Sequence, residues 1–118
     1  MSNLQILFVD DDLEFSWLVV AYVRKRLNVP VRVAQSFADA TRIIGSEKIN
    51  LIVCGTEALE VASSLFRFMA EHSPSTDFVL FTSNDEFDRK TLVGANFKGH
   101  VPKTKIAALV DLIQRSSS

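Results

Sequence analysis

At 118 residues the chain has room for one domain with one hydrophobic core, and none for a second. Hydrophobic residues make up 47% and charged residues 23%, and a net charge of −1 leaves no overall field to draw nucleic acid or an anionic membrane. The lone cysteine, Cys54, excludes a disulfide within the chain, and no stretch reaches the roughly 20 apolar residues of a membrane span. Met1-Ser2-Asn3 lacks the basic start of a signal peptide and leads directly into an apolar run, so the expected setting is cytoplasmic.

Leu4 to Val9 is apolar and closes on Asp10-Asp11-Asp12, the pattern of a strand buried on both faces. Leu13 to Leu27 predicts a helix, with Phe15, Leu18, Val19 and Tyr22 at i, i+3, i+4 and i+7 as its core face. Asn28-Val29-Pro30 ends it, and Val31 to Ala34 reads as a second strand. Ser36 caps a helix through Ile43-Ile44 that Gly45 closes. Leu51 to Cys54 is a third strand. Leu59 to His72 is a helix with Val61, Leu65 and Phe68 on one stripe, stopped by Pro74. Phe78 to Phe81 predicts strand four, Glu86 to about Ala95 a weaker helix, and His100-Val101 a short fifth strand. Thr104 caps a last helix with Ile106, Leu109, Val110 and Ile113 inward. The Ser116-Ser117-Ser118 tail reads as the start of a linker or simply the end of the chain.

Five strand–helix units with short connections predict an α/β fold, a doubly wound five-stranded parallel sheet in a single domain over 1–118. In such sheets chemistry collects at the carboxyl ends of the strands. Those ends carry Asp10-Asp11-Asp12, Gly55, Thr82-Ser83 and Pro102-Lys103.

This set of strand ends resembles the receiver domain of bacterial response regulators, of the chemotaxis-receiver type. Ile6-Leu7-Phe8-Val9-Asp10-Asp11-Asp12 is similar to the receiver opening, where the acidic pair helps hold a magnesium ion. Thr82, after Val79-Leu80-Phe81, matches the hydroxyl residue that contacts the phosphoryl group. Lys103, in Gly99-His100-Val101-Pro102-Lys103, matches the lysine after the fifth strand. Each element alone has a plain structural reading, since an acidic cluster also starts helices. Together, in order, they span essentially the whole chain. The resemblance implies the (βα)5 flavodoxin-like receiver fold and a place in two-component signalling or a phosphorelay, acting through protein–protein contacts.

The sequence departs from that family where the phosphoacceptor aspartate should stand. In Asn50-Leu51-Ile52-Val53-Cys54-Gly55 that position is Gly55, which offers neither nucleophile nor ligand. Glu57 lies two residues on, in the loop, and is expected to point away from Asp10 and Asp11. The loop also lacks the family's Met-Pro pair, His100 holds the position of the aromatic switch, and Thr104 replaces the proline that usually follows the lysine. Magnesium wants six oxygens in near-octahedral array. With the central carboxylate gone, Asp10 and Asp11 would hold it weakly or not at all, and no other cofactor is implied. Lys103 becomes the nearest positive charge, which predicts an Asp–Lys pair closing the site.

The resulting expectation is a degenerate receiver, a pseudo-receiver that signals without phosphorylation and is not an enzyme. The alternative is a phosphorylatable receiver that uses Asp10, Asp11 or Glu57 as a non-standard acceptor. A flavodoxin-like or nucleotide-binding enzyme lacks its phosphate-cradling glycines, since the chain has four Gly and no G-x-G-x-x-G. DNA binding lacks both a helix-turn-helix and a basic stripe. Cys54 reads as a small buried hydrophobe. On the first helix Leu13, Trp17 and Val20, running on to Arg24, form a second apolar stripe expected to face outward as a dimer or partner interface.

Overall fold

Every strand predicted from a short apolar run forms, and all of them join one sheet. The structure is a computed structural model that describes residues 4–83 and 96–116. Its elements run β1 (Ile6–Val9), α1 (Leu13–Leu27), β2 (Val31–Ala34), α2 (Phe37–Ser46), β3 (Leu51–Cys54), α3 (Leu59–His72), β4 (Asp77–Phe81), β5 (Phe97–Val101) and α4 (Ile106–Ser116). The helix expected over 86–95 lies outside the described residues.

The strands pair in parallel in the order β2-β1-β3-β4-β5. The direction of winding reverses between β1 and β3, so the carboxyl ends of those two strands form the switch-point crevice. Alternation sorts side chains to the two faces. Ile6, Phe8, Leu51, Val53, Val79 and Phe81 pack with α1 and α4. Leu7, Val9, Ile52, Cys54, Phe78 and Leu80 pack with α2 and α3. Burial pushes the Cys54 thiol up to about 12, so it behaves as a hydrophobe and not as a nucleophile.

Local chemistry sets the helix boundaries. Asp12 caps α1 by accepting from the Phe15 N–H at 3.0 Å, and Asn28, in the left-handed region at φ 53°, closes its other end. Ser36 caps α2 through the Asp39 N–H. That helix runs one residue past Gly45 because the Glu47 N–H still reaches the Ile43 carbonyl at 2.8 Å. α4 starts at Ile106, later than a Thr104 cap would place it, and its first turn closes onto the Lys105 carbonyl.

The inward face of α1 differs from the sequence expectation. Ser16, Val19, Val20 and Val23 are buried, with Phe15 and Tyr22 packed along one flank, while Leu18 is 69% exposed. At about 100° per residue, Val20 and Val23 both lie within about 40° of Ser16. Phe15 and Tyr22 flank that face on one side, Leu13 and Trp17 on the other. Val20, 3% exposed, therefore belongs to the core and not to an outward stripe. Ser16 can sit at the centre because its hydroxyl donates to the Asp12 carbonyl at 2.8 Å.

β5 is longer than expected and irregular. Phe78 pairs with Phe97 but Val79 with Gly99, so Lys98 is an extra residue in the ladder. Gly99 takes φ +151°, which side-chain-bearing residues rarely adopt. The bulge restores the register that sets His100 beside Leu80 and Val101 beside Phe81, and so aims Lys103 over the crevice.

Candidate functional site

The three consecutive aspartates have three different fates. Asp12 is spent on the α1 cap and Asp11 is exposed. Asp10 turns into the crevice and is 1% exposed. Its Oδ1 accepts from the Asp12 N–H at 3.0 Å, and its Oδ2 accepts from Lys103 Nζ at 2.9 Å. Burial pushes its carboxyl above the ordinary carboxylate value, against the pull of the Asp12 N–H and Lys103. The expected Asp–Lys pair thus forms with Asp10 and not with Asp11.

Gly55 stands opposite. Its N–H donates to the Val9 carbonyl at 2.7 Å, fixing the end of β3 against β1. A Cβ at this position would lie 2.7 Å from Asp10 Oδ2 and 3.0 Å from Phe8 Cζ. The space where a side chain at 55 would begin is already filled by the Asp10 carboxylate.

Glu57 overturns its sequence expectation. Its carboxylate turns into the crevice and joins the same lysine as Asp10. Oε1 lies 3.4 Å from Lys103 Nζ and accepts from the Ser83 hydroxyl at 2.6 Å and the Ser83 N–H at 3.3 Å. Oε2 accepts from the Thr82 hydroxyl. The turn that delivers it is made by Thr56, whose hydroxyl accepts from the Ala58 N–H. Burial would raise the Glu57 pKa, but the Ser83 and Thr82 donors and the Lys103 charge outweigh it and hold the carboxyl down to about 2.

Thr82 is fully buried, held at the end of β4 by its N–H to the Val101 carbonyl at 3.1 Å. His100 reaches the Thr82 carbonyl through Nε2 at 3.1 Å. A carbonyl only accepts, so that nitrogen carries the proton. Lys103 is further pinned by the Phe15 ring, 4.8 Å from Nζ to the centroid. Sequence reasoning missed Ser83, Phe15 and the part played by Glu57. A carboxylate two residues past a strand end, facing a Thr-Ser pair at the next strand end, was the available signal.

A divalent ion does not fit this donor set. The Lys103 ammonium already contacts both the Asp10 and Glu57 carboxylates, and Gly55 offers no side chain to coordinate an ion. Among the described residues no three His, Cys, Asp or Glu side chains are grouped as metal ligands. Asp11, exposed, adds a single carboxylate at the rim.

Of the remaining sequence-predicted residues, Leu13 and Trp17 are exposed, Trp17 at 55%. They line a groove with Val31 and Val33 of edge strand β2. Arg24 is exposed on the same side of α1, and Val20 drops out for the reason given above.

Solved structures with this architecture are numerous. A response regulator from Thermotoga maritima superposes with a TM-score of 0.80 at 19% identity, covering 96% of each chain. The fold is that of a response-regulator receiver. The signal receiver domain of an HD domain-containing protein from Pseudomonas fluorescens matches with a TM-score of 0.80 at 17% identity, over 96% of this chain and 93% of that one. An orphan response regulator of H. pylori matches at 0.81 and 13% identity, over 99% and 98%. No protein-family model matches the sequence, and no curated protein matches it. No described helix is long and apolar enough to cross a membrane.

Proposed function

We propose that this chain is a pseudo-receiver, a non-enzymatic module of a two-component or related regulatory system that works by binding a protein partner without being phosphorylated. One observation carries this reading. The acceptor position is Gly55, and the volume a side chain there would need is taken by Asp10 Oδ2, itself paired with Lys103. A displaced or missing nucleophile could be replaced by a neighbour, but Asp10 is buried in an ion pair and Glu57 is engaged by Thr82, Ser83 and Lys103. A carboxylate whose charge is held this low in pKa is a weak nucleophile toward a phosphodonor.

The test is incubation with acetyl phosphate and magnesium followed by intact-mass measurement. The expected result is an unchanged mass. A gain of one phosphoryl group would replace this reading with the alternative acceptor, and its loss in Asp10→Asn, Asp11→Asn or Glu57→Gln would identify which carboxylate takes it. For the partner surface we propose the α1 flank formed by Leu13, Trp17 and Arg24 beside β2, in either a homodimer or a heterologous complex.

A further inference from the structure

We infer that Glu57 is an internal anionic latch that binds four strand-end segments into one fixed arrangement. The inference rests on reading the site as one that is not phosphorylated, and adds what holds it in place of a removable group. Four strand ends meet at this crevice, where backbone bonds join them in pairs, Gly55 N–H to the Val9 carbonyl and Thr82 N–H to the Val101 carbonyl. Glu57, in the loop after β3, takes the Thr82 hydroxyl and both the N–H and hydroxyl of Ser83 after β4. The same carboxylate shares Lys103, after β5, with Asp10, after β1. Through two carboxylates and one ammonium the four ends become a single polar network. His100 extends it by donating to the Thr82 carbonyl.

Two features make this a latch and not ordinary surface pairing. The bonds are charge-assisted and converge on both oxygens of one carboxylate, which raises their strength above that of a lone exposed ion pair. The anchor at each far end is buried: Thr82 fully, and Asp10 nearly so. The Glu57 side chain itself stays 48% exposed, so the latch can be removed from outside without opening the core. The chain thus carries its own anion against the Thr82-Ser83 end of β4.

Amide hydrogen exchange on the intact chain tests this. Glu57→Ala should speed exchange of the Ser83 amide by roughly tenfold or more, the loss of a charge-assisted bond, and should shift the Ser83 and Lys103 amide resonances. Glu57→Gln, which keeps the shape and an acceptor oxygen, should fall between the two. Val53 and Leu80, inside the sheet, serve as the reference for intact folding and should exchange as in the unaltered chain. Ser83 exchange unchanged in Glu57→Ala overturns the latch. Intact mass after acetyl phosphate, run on the same variants, separates the two readings. Faster Ser83 exchange with no phosphoryl gain supports the latch, whereas a phosphoryl gain in the unaltered chain overturns the phosphorylation-independent premise on which it rests.

Discussion

Adding a single methyl group at position 55 is the sharpest perturbation of this site. In Gly55→Ala the new Cβ would lie 2.7 Å from Asp10 Oδ2, 3.0 Å from Phe8 Cζ and 3.3 Å from Asp10 Cγ. Carbon and oxygen do not approach so closely, so the carboxylate must retreat by several tenths of an ångström. A surface side chain would do this freely. Asp10 is buried and held from both sides, by the Asp12 N–H at 3.0 Å and Lys103 at 2.9 Å, and the Phe8 ring behind it is in the core. Overpacking of this kind costs about 1–3 kcal/mol, and the upper part of that range applies if the move stretches the Lys103 contact. Gly55→Asp adds a further carboxylate beside Asp10 and Glu57 and should cost more at neutral pH than Gly55→Ala does. It should also fail to confer phosphorylation by acetyl phosphate, because Asp10 occupies the volume and His100 and Thr104 still differ from the receiver pattern that the sequence resembles. Urea unfolding followed by far-ultraviolet circular dichroism measures the cost, and Asp10→Ala supplies the decisive background. With the carboxylate gone, Gly55→Ala should become nearly neutral, a non-additive cycle between touching residues. A Gly55→Ala protein as stable as the unaltered chain, or an equal penalty in both backgrounds, would refute the steric account.

Lys103→Met leaves Asp10 buried without its cation and should destabilise by about 3–5 kcal/mol, somewhat less because part of the lysine side chain reaches solvent. Asp10→Asn in the same chain should recover much of that loss, as read from urea midpoints. The depressed pKa of Glu57 means that its contribution to stability is complete above the ordinary value of 4.5 and is lost as pH falls toward about 2. Acid titrations of the unaltered chain and Glu57→Gln should therefore converge over that interval, and parallel curves would contradict the assignment. Asp10 runs the other way: its raised pKa favours the fold below the ordinary 3.8 and this contribution fades as pH rises through the shifted value. Trp17→Ala should leave stability within about 0.5 kcal/mol while weakening self-association or partner capture in sedimentation and pull-down. Val20→Glu, by contrast, should unfold the domain, since that side chain is in the core.

Strand positions and most helix limits were legible because they follow from local rules. A run such as Leu51 to Cys54 has no polar side and must be buried on both faces, and caps such as Asp12 and Ser36 act within one turn. The order of strand ends was legible too, and with it the glycine at the end of β3. The bulge in β5 was not, because it depends on how Gly99 meets β4 and Leu112 across the fold.

The face α1 buries was decided by its neighbours. Apolar residues surround that helix almost evenly, so its periodicity favours no side, and contact with the sheet and α4 selects Ser16, Val19, Val20 and Val23. A serine at the centre of a buried face reads as polar in any linear pattern until its hydroxyl is seen to bond its own backbone. Glu57 shows the same limit at the site. Chain position alone put it in a loop pointing away, because the donors that capture it, at Thr82, Ser83 and Lys103, are separated from it by 25 residues or more. Charge pairing across such distances in sequence becomes effective only when the sheet has brought the strand ends together.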